Sequence, residues 1–285
     1  MSGKMNGASA LRAPAPGDTG LRLPVPVATV GGLPIAVITR AACARLMVDL
    51  ALARRSESGP APVFTSANGQ VLSMCEASHE VRALFLACDV INADGMPLVF
   101  ASHLLSKRKL PERVATTDLV YEVAAIAQER GASFYLLGAA AGVIEQAAEH
   151  LRRLYPRLAV VGARHGYFSA EEETDVVAAI NAARPDILWL GLGVPAEQQF
   201  ALRHREQLQD VGIVKTSGGL FDFLSGKNRR APEWMQAAGL EWAYRIYLEP
   251  RRLLGRYVRT NPHALFLLLT KTRSTKEADK RPTCS

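Results

Sequence analysis

Cysteine is scarce in this chain. Cys43, Cys75, Cys88 and Cys284 are the four present, none in C-x-x-C spacing and none with a partner histidine that would complete a zinc site. This excludes a zinc ribbon and a disulfide framework and fits a reducing compartment. Asp-x-Asp is absent, and no His/Asp/Glu group has metal-ligand spacing, so no metal site is expected. No apolar run approaches the ~20 residues that a membrane span needs. The N-terminal stretch has Lys4 but then turns polar and proline-broken, unlike a secretory signal. Gly191-Leu192-Gly193 runs into Val194-Pro195 without the third glycine of a dinucleotide fingerprint, which weakens a nicotinamide-dependent oxidoreductase as a rival reading.

What is present is a globular composition with an uneven charge. The 285 residues, 48% hydrophobic, suit one large or two small domains with a sizeable core. Residues 1–225 carry 21 Lys+Arg against 22 Asp+Glu, whereas residues 226–285 carry 13 against 5. The whole positive excess therefore lies in the last 60 residues. A near-neutral body with a basic arm implies an anionic partner for the arm: a phosphate-bearing substrate, anionic lipid or nucleic acid. A lipid-bound scaffold without catalysis would also suit such an arm, but would leave the acid described below unexplained.

Residues 1–24, rich in proline and glycine, are expected to be a disordered leader, 25–225 an α/β core and 226–285 a helical basic arm. Val25 to Ile38, broken by Gly31-Gly32, predicts two short strands joined by a tight turn. Thr39 caps a helix to about Arg55; Val63–Ser66 is a strand leading into Asn68-Gly69; Ser78 opens a helix that feeds the strand Val90-Ile91. A helix follows at 96–106, and Thr117 caps another. Strands at 134–137, 158–161, 187–190 and 211–214 then alternate with helices at 141–154, 170–183 and 195–206, the second opened by a Ser169/Glu172 capping box. Such alternation implies βαβ units and a Rossmann-like parallel sheet with flanking helices.

Four stretches carry chemistry. In Val90-Ile91-Asn92-Ala93-Asp94-Gly95-Met96-Pro97 an acid ends a strand at the edge where open α/β sheets bind ligands, and such a carboxylate can take a proton from a hydroxyl. The competing reading is that Asp94 merely caps the helix opened by Met96-Pro97. Two further strands end in glycine turns, at Gly138 and at Gly191 and Gly193, and offer helix N-termini to a phosphate. In the arm, Arg229-Arg230, Arg245, Arg251, Arg252, Arg256 and Arg259 supply cations, the i, i+4, i+7 spacing of Arg252, Arg256 and Arg259 placing them on one helical face. Finally, Ala264 to Leu269 after Pro262 suits either an interfacial helix or a buried last helix.

In order along the chain, Thr65-Ser66-Ala67-Asn68, Ala93-Asp94-Gly95, Arg113-Val114 through Asp118, Tyr135 to Gly138, Gly166-Tyr167-Phe168, Asp186 to Pro195, Gly218-Gly219 with Phe221-Asp222, Arg230-Ala231-Pro232, and Glu241 to Arg245 with Glu249 to Arg252 resemble the WecG/TagA/CpsF family of bacterial glycosyltransferases. The likeness covers about residues 60 to 260. It implies an inverting, metal-independent transfer of a sugar from a UDP-sugar to a polyprenyl-diphosphate-linked sugar, in surface polysaccharide synthesis at the inner face of the cell membrane. It implies no cofactor and no nucleic acid, and leaves room for a homo-oligomer. Asp94 matches the family's base and Asn68 an asparagine of the same pocket. Ser66, Arg113, Asp118, Gly138, Gly191, Gly193, Pro195, Glu197, Gln198, Asp222, Arg230, Arg245, Arg252 and Arg256 are the substrate-binding candidates. The chain departs from the pattern in three places: Ser66 where Thr is usual, Thr116 where Gly is usual, and Glu197-Gln198 in place of Gln-Glu. The last leaves the donor open among N-acetylmannosamine, its uronic acid and glucose-type sugars.

Overall fold

The computed structural model describes residue 23, residues 25–56 and residues 59–273, without the side chains of Arg252 and Arg256. The leader expected at 1–24 and the tail beyond 273 thus lie outside the described residues, residue 23 excepted.

The chain begins with an antiparallel hairpin, β1 (Val27–Val30) and β2 (Leu33–Ala36), turned at Gly31-Gly32, where both φ values are positive and glycine is the residue without steric penalty. Helix α1 (Arg40–Ala53) follows, its first turn capped by Thr39 accepting from the Ala42 amide at 3.2 Å. The six strands of the main sheet are β3 (Val63–Ala67), β4 (Val90–Ala93), β5 (Ser133–Gly138), β6 (Ala159–Arg164), β7 (Ile187–Gly191) and β8 (Ile213–Thr216). All pair in parallel, in the order β4-β3-β8-β7-β5-β6. Strands β4, β5 and β8 are buried throughout, as a sheet covered on both faces requires, whereas β6 alternates as an edge.

Around this sheet pack α2 (Gly69–Ala77), α3 (His79–Ala87), α4 (Met96–Leu105), α5 (Thr116–Arg130), α6 (Ala141–Leu154), α7 (Glu173–Ala183), α8 (Ala196–Arg203) and α9 (Leu220–Leu224). One face buries Phe64, Phe134, Trp189 and Ile213 under α1, α5, α6 and α9; the other buries Val63, Leu137, Leu190 and Val214 under α7 and α8. A third cluster, at the β4 edge, joins the hairpin to α2, α3 and α4. The α/β fold with a parallel sheet and a helical C-terminal region is thus as the alternating pattern implied.

The arm consists of α10 (Glu233–Ala237), α11 (Glu241–Leu248) and the 22-residue α12 (Pro250–Lys271). Helix α12 runs through Pro262 rather than stopping there. Packing holds it on either side of the missing amide: Leu253, Ala264, Leu267 and Leu268 are buried, the last two among Val71, Leu72 and Leu98. Its end is tied to the hairpin, Lys271 O accepting from Gly32 N at 3.0 Å and Thr272 Oγ1 from Gly31 N at 3.1 Å. The two readings of this run therefore divide by face. Leu267 and Leu268 are core, while Leu265, Phe266 and Leu269 are each about 60% exposed.

Three local expectations change. Helix α2 occupies a segment for which no element was expected; Asn68 is its N-cap, accepting from Val71 N at 3.1 Å. Helix α5 starts at Thr116 with Ala115 as an N-cap that makes no side-chain bond, so Thr117 is not the cap. Of the capping box before α7, one arm is present, Ser169 N donating to Glu172 at 2.8 Å, and the helix itself begins at Glu173.

Candidate active site

The carboxyl ends of β3, β4 and β8 open into a cleft of about 250 Å³. Its floor and walls are Ser66, Asn68, Gly69, Asp94 to Pro97, Arg113, Thr116, Thr117, Val194, Glu197 and Thr216 to Leu220, and its roof is Phe223, Gly239, Glu241, Trp242, Arg245, Tyr257 and Asn261. Helices α2, α4 and α5 begin at its rim, so their unpaired N–H groups and positive dipole ends face the space.

Asp94 follows β4 directly, and its amide donates to Ala67 O of β3 at 2.8 Å, which fixes the backbone. The cap reading fails on geometry: Gly95, not Asp94, is the N-cap of α4, and no side chain caps that helix. Among the described residues nothing donates a hydrogen bond to the Asp94 carboxylate. Burial pushes its pKa up, while Arg113 and Arg245 pull against that shift. A half-buried, unpartnered carboxylate with its proton affinity raised is equipped to accept a proton from a bound hydroxyl.

The arginines divide into two sets. Arg113 donates to Glu241 at 2.8 Å, Gln236 at 3.0 Å and Asp118 at 3.3 Å. Arg230 donates to Asp118 at 2.6 Å and also to Gln236. Burial works to raise the pKa of Asp118, but Arg230, Arg113 and Arg40 outweigh it and hold that carboxyl below its ordinary value. Arg230 and Asp118 stand outside the cleft lining; with Arg113, Gln236 and Glu241 they latch the arm to the body. Arg245 reaches the cleft itself, stacked 5.0 Å from the Phe223 ring centre and 3.5 Å from Glu241. Arg252 and Arg256 lie on α12, their side chains outside the described set.

The glycine-turn candidates are distributed differently from expectation. A Cβ on Gly138 would sit 2.3 Å from Gly191 O, and one on Gly191 2.6 Å from the Phe221 ring, so both glycines allow close packing of neighbouring elements and neither lines the cleft. Gly193 and Pro195 build the turn before α8, Gly193 O accepting from Glu197 N at 2.9 Å, and the wall there is Val194. Asp222 is also outside the lining, its carboxylate held by Lys227 at 2.9 Å. Glu197 is in the cleft wall, accepting from Gly218 N at 2.9 Å; burial, against that bond and the charge of Lys215, lifts its pKa to about 7. Gln198 is buried behind it, donating to Thr65 at 3.0 Å.

Sequence reasoning missed Lys215, fully buried on β8 beneath the floor, and the roof aromatics Trp242 and Tyr257. The one signal for Lys215 was a lysine continuing the apolar run from Val211, read as the strand's end. Among the described residues no three His, Cys, Asp or Glu side chains are grouped to hold a metal ion, and no helix is long and apolar enough to cross a membrane.

Fold and site together define an α/β transferase working at the carboxyl edge of an open parallel sheet. Residues 28–278 match the family described as Glycosyl transferase WecG/TagA/CpsF, and the chain belongs to that family. Relatives from Staphylococcus aureus strains NCTC 8325 / PS 47, COL and MSSA476, each called N-acetylglucosaminyldiphosphoundecaprenol N-acetyl-beta-D-mannosaminyltransferase, are 29% identical over 215 residues, 75% of this chain and 82% of theirs. The chain is a glycosyltransferase.

Proposed function

We propose that this glycosyltransferase moves a sugar from a UDP-sugar to a polyprenyl-diphosphate-linked sugar, with inversion and without a divalent ion. The observation that carries the reading is the Asp94 carboxylate, which lines the cleft and has no partner among the described residues. Asp94 takes the proton of the acceptor hydroxyl as its oxygen attacks the anomeric carbon. The bond to UDP breaks on the opposite face, and the electron pair leaves with the diphosphate. Arg113, Arg245 and the helix N-termini at the rim stabilise that departing charge, the task a metal ion performs elsewhere. Asn68 positions substrate across from Asp94. The acceptor class is supported by the names of the staphylococcal relatives.

The described part of the arm, residues 226–273, roofs the cleft through Gly239 to Asn261 and meets the cytoplasmic face of the membrane. Leu254, Val258, Leu265, Phe266 and Leu269 are exposed along α12, with Arg251 and Arg259 exposed on the same helix, a composition suited to an anionic interface.

The test is a transfer assay in excess EDTA. It uses a short polyprenyl-diphosphate N-acetylglucosamine acceptor and UDP donors carrying N-acetylmannosamine, its uronic acid, glucose or glucuronic acid. A disaccharide-lipid of inverted anomeric configuration is expected from one of them. Absence of product from all four, or a requirement for Mg²⁺ or Mn²⁺, overturns the reading.

A further inference from the structure

Transfer by Asp94 and the arginines leaves one charged group beneath the cleft without a task. Lys215 has no exposed surface. Its ammonium donates to Thr216 O at 2.7 Å, Ser66 Oγ at 2.9 Å and Thr116 Oγ1 at 3.4 Å, which uses all three of its protons. Ser66 and Thr116 both line the cleft, 3.2 Å apart. An ammonium only donates, so each hydroxyl accepts from Lys215. One hydroxyl then donates to the other, which leaves one proton of the pair to serve a group bound in the cleft that both residues line. Without Lys215 neither oxygen has that donor, and both hydroxyls are free to rotate.

The surroundings fix the electrostatics. Lys215 faces Cys43 from α1, Cys88 from the end of α3, Asp94 from β4 and Glu197 from α8. It is one buried cation against two carboxylates, and the wall cation Arg113 and the roof cation Arg245 are shared with Glu241. All three departures from the family pattern gather here. Ser66 and Thr116 bond Lys215 directly; Gln198 donates to Thr216 Oγ1 at 3.4 Å, and Glu197 stands at the wall beside it.

We propose that Lys215 is a positioning residue for donor specificity: it locks the Ser66–Thr116 pair so that one proton is offered to an oxygen of the bound sugar beside the accepting carboxylate of Glu197. That donor-and-acceptor floor fits an uncharged hexose or N-acetylhexosamine. A hexuronic acid would bring a third carboxylate against Asp94 and Glu197. The inference rests on the UDP-sugar reading above.

The experiment measures binding and transfer separately at pH 8, where Glu197 is ionised. Calorimetry compares UDP with UDP-glucose, UDP-N-acetylmannosamine and the corresponding uronic acids on wild type, Lys215→Met, Thr116→Val and the double variant Lys215→Met/Glu197→Gln. The double variant removes both buried charges and serves if Lys215→Met alone fails to fold. Wild type is expected to bind an uncharged UDP-sugar more tightly than UDP. Both single variants should lose about five- to tenfold of that sugar-dependent affinity, the scale of one hydrogen bond, with UDP affinity unchanged within twofold. In the double variant the sugar-dependent affinity should fall as in Lys215→Met. Equal losses for UDP and UDP-sugar, no loss in Thr116→Val, or a wild-type preference for a uronic donor overturns the proposal. Wild type that shows the Lys215-dependent sugar affinity but transfers to no acceptor would refute the transfer reading and leave the floor assignment standing.

Discussion

Replacing Asp94 with Asn preserves size and removes the charge, and Asp94→Ala removes the polar group altogether. If Asp94 were a helix cap, the alanine variant would lose about 0.5–2 kcal/mol, whereas asparagine would cap as well as aspartate. At this chain length that loss would lower Tm by roughly 2–4 °C per kcal/mol. Gly95 is the N-cap and the carboxylate has no described partner, while burial opposes its charge. Both variants should therefore melt within about 2 °C of wild type or slightly above it. Turnover should fall by about 10²-fold or more, which is about 2.7 kcal/mol of lost transition-state stabilisation. UDP affinity should hold. The pH profile supplies an independent sign. Burial raises the Asp94 pKa, so the acid limb of kcat/KM should lie above the ordinary aspartate range, and activity should be lost as pH falls through it. Arg245 opposes that rise, and Arg245→Gln should move the limb to still higher pH. The assay is UDP release with a soluble acceptor from pH 4 to 9, beside melting curves for each variant. Turnover within a few-fold of wild type in Asp94→Asn, or a loss of activity matched by a loss of Tm, would refute the reasoning.

Transfer should persist in excess EDTA, since fixed arginine and backbone charges face the cleft; loss on chelation with rescue by Mg²⁺ would count against it. Leu267→Ser should destabilise the fold by about 2–5 kcal/mol, because Leu267 is 1% exposed, whereas serine at Leu265, Phe266 and Leu269 together should leave Tm alone and weaken co-sedimentation with anionic vesicles. Arg230→Ala strips Asp118 of its 2.6 Å partner and should loosen the arm, seen as faster proteolysis between residues 226 and 250 with the body intact. Glu197, with its pKa lifted to about 7, favours the folded state below pH ~4.5, and that advantage fades as pH rises through 7; Glu197→Gln should flatten this slope, by about 3 kcal/mol at most, in melting curves from pH 4 to 8.

Much of the fold was readable because strands and helices alternate with clear periods; helix α6 at Ala141–Leu154 has the bounds its pattern predicts. Helix α2 went unread between the strand at Val63–Ser66 and the helix opened by Ser78; Asn68 caps it and Gly69 lets Ala264 of α12 approach, a Cβ there lying 3.1 Å from Ala264 Cβ. That contact links residues far apart in the chain, which a local window does not register. Asp94, Asn68 and Arg113 were found because strand ends and a family pattern mark them. Lys215 was not, because its meaning depends on Ser66 and Thr116, which a sheet neighbour and a distant helix bring to it. Strand order was unreadable for the same reason.

The position of β8 gives the molecule an order of assembly. During synthesis β3 and β4 emerge first, and β5, β6 and β7 later, but the two groups share no pairing until Ile213–Thr216 slides between β3 and β7. Until then each half presents a bare strand edge to the other, a state open to mispairing. The strand that closes the gap also carries Lys215 and leads into Ser217 to Leu220, and the cleft draws none of its lining from residues 118 to 193. The ribosome must therefore deliver about three quarters of the chain before the sheet is whole, and the roof after that. A nascent chain that ends short of β8 holds Asp94 but lacks the wall from Thr216 to Leu220 and the whole roof, so the cleft is complete only once β8 and the helices after it are in place.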